Sequence, residues 1–206
     1  MAKAYYEHLF TQTVRDLQNA QGTQDLYAEA MRQHAPADSR LGPSEKRFIT
    51  LRDGFYMASL SQSGWPYVQF RGGPRGFLKV IDAQTLGYAD YRGNRQYISD
   101  GNILADDRVA IILVDYPNSA RLKLLARAEL SDDAETLARL TDAEYRATPE
   151  RAVILKLEAF DWNCPQHLPV RLTMEELQPI LAPFQQELAE LRAENARLRE
   201  QLGAPG

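Results

Sequence analysis

Apolar and polar residues alternate along the stretch that starts at Leu122. Leu122, Leu124, Ala126, Ala128 and Leu130 fall on one side, and Lys123, Arg127 and Glu129 on the other. A period of two predicts a strand with one buried face. Runs of about six residues rich in aromatic, β-branched or small side chains read as strands too. They are FYMASLS from Phe55, PYVQFR from Pro66, GFLKVI from Gly76, TLGYAD from Thr85 and AVILKLEAF from Ala152. RVAIILVD, from Arg108, is apolar without a break, which predicts a strand buried on both faces. Most of these seven candidates are joined by tight connections such as SGWP and YPNS. Short links favour antiparallel pairing, so the expected fold is a mainly β barrel or sandwich, not a doubly wound parallel sheet.

Helical spacing appears at both ends. Tyr6, Leu9, Phe10, Val14 and Leu17 recur at intervals of three and four, predicting helix from residue 4 to about 34. Gly22 interrupts it, and Thr23 can cap a second helix from Asp25 to Gln33. Residues 35–46 are polar and carry two prolines, a linker in which Ser44 can cap a short helix. SDDAETLARLTDAEY, residues 131–145, is polar and helix-prone. At the C-terminal end Leu177, Leu181, Phe184, Leu188, Leu191, Asn195, Leu198 and Leu202 alternate by four and three, a heptad seam. Pro179 and Pro183 place the start of its continuous helix near Pro183. Asn195 among leucines is a register-setting feature of dimeric coiled coils.

Charge singles out one segment. Gly64–Gln96 holds five cations, Arg71, Arg75, Lys79, Arg92 and Arg95, against Asp82 and Asp90, in a chain of formal charge −4. Its positive charge sits on glycine-rich turns, an arrangement suited to a bound anion such as phosphate. After Tyr91, Arg92 and Gly93, Asn94 is a good helix N-cap. Tyr97, Gly101 and Leu104 follow at helical spacing, which would put Arg95 and Gln96 in a first turn. The dipole there disfavours a cation unless an anion is docked beside it.

Composition narrows the field. With 206 residues the chain can bury a full core. A pI near 5.5 argues against general nucleic-acid binding. Cys164 is the single cysteine, so no intrachain disulfide forms, which fits a reducing cytoplasm. No apolar leader and no run long enough to span a membrane is seen. His8 and His34 are isolated, and one cysteine with three scattered histidines leaves no metal site.

Taken in order, the motifs G-x-P (Gly64 to Pro66), RGGPRGFLKVID, GYADYRGNRQ, NILADDRVAIILVD and RLKLLARAEL resemble the FMN-binding split-barrel family related to pyridoxamine 5′-phosphate oxidase. The resemblance covers about residues 45–170. It implies a mainly β (α+β) fold, a six-stranded antiparallel split β-barrel with flanking helices, here with a C-terminal coiled-coil helix. It also implies a homodimer with FMN between the subunits. The chain then divides into an N-terminal helical segment and linker (1–44), an FMN-binding split-barrel domain (45–170) and a C-terminal helix (171–206).

Carried over by position, the resemblance implies a cofactor-binding set. Lys79 precedes the strand-ending Val80-Ile81-Asp82. Tyr91, Asn94, Arg95 and Gln96 match the phosphate turn, with one residue inserted and Gln96 in place of a lysine. Arg121 and Lys123 match a strand that touches the flavin, and Trp162 matches a pocket-lining tryptophan. Arg71, in a glycine-rich insert that the oxidase itself lacks, is a further anion contact, with Arg75 beside it. Trp65 and Tyr67 are available as an aromatic wall. The oxidase's C-terminal Arg-Leu-His is missing, so its vitamin B6 reaction is not implied; His167 and Arg171 are the substrate-side candidates. No catalytic residue is identified. Cys164 is read as a small apolar residue, because Pro165 separates it from His167 and no orienting partner is evident. The expected function is an FMN-dependent oxidoreductase with an unidentified small-molecule substrate. The alternatives are a flavin- or haem-related binding protein without turnover, and a dimeric scaffold that recruits a partner through its tail.

Overall fold

A computed structural model describes residues 3–32 and 39–203; Gln33, expected to end a helix, and His34 lie outside the described residues. The chain forms two compact units. One holds the residues up to Asp115 together with Ala120–Gln166, and the other Tyr116–Ser119 with the residues from His167 onward.

The N-terminal helices are α1 (Lys3–Leu9), α2 (Gln12–Ala20) and α3 (Gln24–Arg32). The expected break at Gly22 is present, and a second falls at Phe10 and Thr11. Tyr6 and Phe10 stack at 4.7 Å, and Tyr27 of α3 meets both edge-on at 5.6 and 5.3 Å. Tyr5 faces the other way and is buried with Ala159. Burial pushes its phenol up to about 12. Next comes α4 (Pro43–Thr50), capped by Gly42 rather than by Ser44. Pro43 takes the first helical position, where its missing N–H costs nothing, and Glu45 Oε2 accepts from Gly42 N at 3.0 Å.

The remaining elements are β1 (Gly54–Leu60), β2 (Pro66–Gly72), β3 (Lys79–Val80), β4 (Thr85–Tyr91), α5 (Ile98–Ala105), β5 (Arg108–Asp115), β6 (Ala120–Ser131), α6 (Ala134–Leu140), β7 (Pro149–Asn163) and α7 (Met174–Leu202). The seven strands form one sheet in the order β2-β1-β5-β6-β7-β4-β3, every neighbouring pair antiparallel. The fold is therefore α+β, a mainly antiparallel sheet with flanking helices, as expected. The strand count is seven rather than six, because only Lys79 and Val80 of GFLKVI reach the ladder, as a short edge strand. The ladder is also open, ending at β2 and β3.

One face of the sheet makes the core. Phe55 and Met57 of β1, Val109, Ile111 and Leu113 of β5, Leu122 and Leu124 of β6, and Val153 and Leu155 of β7 are all buried together. The alternation expected in β6 is present, with Leu122, Leu124, Ala126 and Ala128 buried. β5 corrects an expectation. Its apolar run is not buried on both faces, since Ala110 is exposed and Ile112 and Val114 are only partly covered. β2 carries the same feature further: Val68 and Phe70 point outward at 60% and 55% exposure, while Tyr67, Gln69 and Arg71 turn inward.

β2 and β4 are separated by four strands in the ladder, yet Arg71 Nη1 donates to Asp90 Oδ1 at 2.7 Å. The sheet thus curls until strands near its two ends meet through side chains. α5 fills the remaining gap. Asn102 Nδ2 donates to Ser59 Oγ of β1 at 3.0 Å, Ser99 Oγ donates to Gln69 Oε1 of β2 at 3.0 Å, and Asp100 lies 3.1 Å from Arg151 Nη1 of β7.

The other unit contains α7, whose start corrects the sequence expectation. It begins at Met174 and runs through Pro179 and Pro183. Thr173 and Glu176 form a reciprocal capping box, Thr173 Oγ1 accepting from Glu176 N at 3.2 Å and Glu176 Oε2 from Thr173 N at 2.9 Å. That cap supports a first turn ahead of both prolines.

Two stability predictions follow from this geometry. Burial raises the Asp90 carboxyl above its ordinary range, and Arg71 pulls it back. A carboxyl raised on folding costs stability once ionised, and the cost vanishes as pH falls through its folded pKa. Arg71→Gln should therefore destabilise by about 3–5 kcal/mol near neutral pH, the cost of a buried charge left without its partner. The deficit should shrink as pH is lowered from neutral to mildly acidic and Asp90 takes up a proton. Urea unfolding at both pH values checks this, and a pH-independent deficit would refute the ion-pair reading. The second concerns glycines. Gly64 and Gly76 have φ of +86° and +80°, but only at Gly76 would a Cβ crowd backbone, 3.0 Å from the Thr50 carbonyl oxygen. Gly64→Ala should cost about 1–2 kcal/mol. Gly76→Ala should cost clearly more, and equal denaturation midpoints for the two variants would show that the Thr50 backbone yields freely.

Candidate functional site

β2 is an edge strand whose inward positions are polar. Tyr67, Gln69 and Arg71 line a small cleft of about 60 Å³ with Asp90 and Tyr91 of β4, the turn Gly93–Tyr97, the start of α5 and Glu150. Gln69 Oε1 accepts from Ser99 Oγ at 3.0 Å and from Tyr67 OH at 3.4 Å, so its amide is fixed at the wall.

The turn departs from expectation. Asn94 does not cap a helix; its Oδ1 accepts from Gln96 N at 3.1 Å. Arg95 and Tyr97 take φ of +59° and +51°, and α5 begins only at Ile98. Asparagine folding back on the backbone two residues ahead is a turn habit that competes with helix entry. Tyr97, Gly101 and Leu104 are exposed, and α5 buries Ser99, Asp100, Asn102 and Ile103 instead. Arg95 and Gln96 consequently stand on a loop at the cleft, not in a helical turn.

Charges around the cleft are almost completely matched. Asp90 pairs with Arg71 at 2.7 Å, Asp100 with Arg151 at 3.1 Å and Glu150 with Arg92 at 2.9 Å. Arg95 is exposed and has no ion pair among the described residues. The local balance is one uncompensated positive charge. The buried Nε donors of Arg71 and Arg151 have no acceptor, and Asp100 Oδ2 lacks a hydrogen bond despite its ion pair. Buried groups of this kind are normally satisfied by water or a ligand. The cleft itself offers one free cation, Arg95, with the rings of Tyr67 and Tyr97 beside it.

The structure brings together Arg71, Tyr91, Asn94, Arg95 and Gln96. Tyr91 is partly committed elsewhere: its hydroxyl accepts from Asp142 N at 3.3 Å and its ring meets Tyr145 edge-on at 4.9 Å. Lys79 is outside this lining; it lies opposite Gly87 on β3 and is half-buried. Arg121, Lys123 and Trp162 are outside the lining too, Trp162 being paired with Leu122 and so on the opposite face from Arg121 and Lys123. Arg121 Nη2 donates to the Cys164 carbonyl and, at 3.1 Å, to that of Gln166. Lys123 pairs with Asp161 at 2.7 Å and sits 4.9 Å from the Tyr5 ring centre. Trp162, which lies within β7, donates to Glu45 Oε1 at 2.8 Å and meets Phe48 edge-on. His167 and Arg171 belong to the other unit, His167 with φ of +61° and Arg171 stacked 4.8 Å from the Tyr116 ring centre. Trp65 is 76% exposed at the β1–β2 turn.

Sequence reasoning missed Gln69, Ser99, Asp100 and Arg151. For Gln69 a signal existed: with Tyr67 and Arg71 it makes a polar set at every second position, opposite Val68 and Phe70. For the others none did, since their partners lie on distant strands. Among the described residues no group of acidic, histidine or cysteine side chains could hold a metal ion.

Comparison with solved structures yields likenesses at low identity. A presumed pyridoxamine 5′-phosphate oxidase from Lactobacillus delbrueckii aligns over 60% of this chain and 94% of its own, at 24% identity and a TM-score of 0.47. HupZ from Group A Streptococcus aligns over 64% of this chain and all of its own, at 15% identity and a TM-score of 0.49. An FMN-binding protein from Syntrophomonas wolfei aligns over 71% and 97%, at 12% identity and a TM-score of 0.41. No curated protein sequence matches significantly. The family profile for pyridoxamine 5′-phosphate oxidase matches residues 41–163, from just before α4 to the last residue of β7. A match over more than half the chain, spanning all seven strands, places this protein in the pyridoxamine 5′-phosphate oxidase family.

Proposed function

We propose that this protein is an FMN-binding flavoprotein, an oxidoreductase acting on a small organic molecule as a cytoplasmic homodimer. The observation that carries the proposal is Arg95, the one cation of a charge-matched cleft left without a partner among the described residues. It stands on a positive-φ turn, where a phosphate can take its guanidinium and neighbouring backbone N–H groups together. Gln96 and Asn94 complete that turn. Tyr67 and Tyr97 give a wall of apolar character, and the pinned Gln69 amide supplies orientation. When bound, FMN supplies two-electron chemistry; the protein supplies placement and electrostatics. His167 and Arg171 remain the substrate-side candidates.

The barrel and dimer details belong to the same proposal. Six strands exceed two residues, β1, β2 and β4–β7, the number of the expected split barrel; β3 is an addition at the edge. The outer face of the sheet supports self-association. Tyr56, Val68, Phe70 and Leu60 are exposed on β1 and β2, and the register carries this face through Ile112 to Lys123 and through Val114 to Arg121. A contiguous exposed apolar patch marks an interaction surface. A second copy seated there would meet Arg121 and Lys123 at the rim of the patch, which gives them a place near the cofactor between subunits. The cytoplasmic assignment rests on the single cysteine, Cys164, and among the described residues no helix is long and apolar enough to cross a membrane.

Titration of flavin-stripped protein with FMN and with riboflavin, which lacks the phosphate, tests the proposal. Unaltered protein should prefer FMN. Arg95→Ala should lose about 2 kcal/mol of FMN affinity, the scale of one charge-assisted hydrogen bond, and leave riboflavin binding unchanged. Equal losses for both ligands, or none for FMN, would remove Arg95 from the phosphate site. Cys164→Ser should keep flavin binding and any turnover within a few-fold, because Arg121 is held by the Cys164 carbonyl and the thiol is exposed. A drop of about a thousandfold in turnover with flavin still bound would make the thiol a nucleophile.

A further inference from the structure

The helix α7 presents an apolar stripe that nothing in its own unit buries. No residue among its 29 is fully buried, and Phe184, Leu191 and Leu202 are 65%, 60% and 81% exposed. A helix of that length, capped by Thr173 and Glu176 at one end and by Gly203 at φ +64° at the other, is a complete element. Its stripe repeats every 3.5 residues, the period of a left-handed two-helix supercoil rather than of a helix lying on a sheet.

We propose that α7 pairs with α7 of a second copy of this chain as a parallel, in-register, two-stranded coiled coil. Charge complementarity identifies the partner. Take Leu181, Leu188, Asn195 and Leu202 as position a, and Leu177, Phe184, Leu191 and Leu198 as position d. Position g then holds Glu187 and Glu194, and position e holds Arg192 and Arg199. In a parallel pair each g residue faces the following e residue of the other helix. Glu187 meets Arg192 of the partner subunit, and Glu194 meets Arg199 of the partner subunit, both attractive. An antiparallel pair opposes Glu with Glu and Arg with Arg. Asn195 meets its own copy only in the parallel, in-register arrangement, where the two amides can hydrogen-bond.

The prolines fit this seam. Pro179 and Pro183 fall at positions f and c, on the outer side, so a bend there leaves the contact line clear. In the lone helix Glu194 pairs with Arg197 at 2.6 Å, but both side chains are about half exposed or more. An exposed pair of that kind is weak enough to exchange for an interhelical one. A seam of under four heptads is short, and any association of the sheet units raises the effective concentration of the two tails. The pairing itself does not rest on flavin binding.

The test uses the full chain in a Cys164→Ser background. Leu198→Cys places a thiol at position d, and Ala193→Cys places one at the outward position f. Under mild oxidation Leu198→Cys should form a disulfide-linked dimer at least about tenfold faster than Ala193→Cys, because only d residues face each other across a parallel seam. Adding Glu187→Lys and Glu194→Lys to Leu198→Cys should slow crosslinking by about tenfold at low salt. Adding Arg192→Glu and Arg199→Glu as well should restore it. Comparable rates at positions 198 and 193, or a charge reversal without effect, would overturn the parallel pairing and leave α7 for a partner of other identity. Flavin titration of the same variants separates this failure from failure of the flavin reading.

Discussion

The ion pair between Arg71 and Asp90 is the contact on which the site depends. It joins strands with four others between them in the ladder, so it exists only because the sheet curls. Antiparallel strands twist, and a long twisted sheet either curls or splits. Here the two ends approach but no backbone ladder closes them. Side chains and α5 do that work instead, through Ser59, Gln69 and Arg151. Closure by a ladder would have filled the gap with paired strands. Closure by polar side chains leaves a cleft whose walls are already hydrogen-bonded and charged. Fold and site are thus the same set of contacts, and a substitution at Arg71 touches both.

Much of the sheet was legible because burial on one face leaves a period of two. β6 is the clearest case, with Leu122, Leu124, Ala126 and Ala128 inside. β5 shows where the rule misleads. Its unbroken apolar run indicates cover on both faces, but a single chain covers only one. Among the described residues the outer positions Ala110, Ile112 and Val114 stay open or half-covered, so the run overstates the burial of this strand. The same holds for Val68 and Phe70 on β2 and for the seam of α7. An apolar run reports composition, while burial depends on which elements pack over it, and a local window does not contain them.

α5 was misplaced for a different reason. Asn94, Gly101 and Leu104 follow local rules for caps and periodicity, but Asp100 and Asn102 are polar residues buried by distant partners. A buried polar residue is tolerated only with a specific partner, and no sequence window around Asn102 contains Ser59. Tertiary hydrogen bonds thereby chose which face of α5 went inside. They also set its start, because bringing Ser99 to Gln69 leaves the chain to turn through two positive-φ residues first. Arg95 is at the cleft because of that turn. The basic residue beside glycine and asparagine does line the cleft, but on a loop and not in the helical turn the sequence pattern suggests.

Electrostatics then decide what the cleft can hold. Three carboxylates on its walls would repel an anion if they stood alone, at several kcal/mol each in a partly buried site. Each has its own arginine, so an anion there would meet dipoles rather than net negative charge. These pairs are not gained cheaply, since buried ions lose hydration that their partners only roughly restore. A cleft that needed shape alone could have used apolar walls of similar volume. Matched ions instead fix a field that is neutral at the walls and positive at the Arg95 turn. A ligand of the proposed kind, with one anionic end, would meet that field already formed.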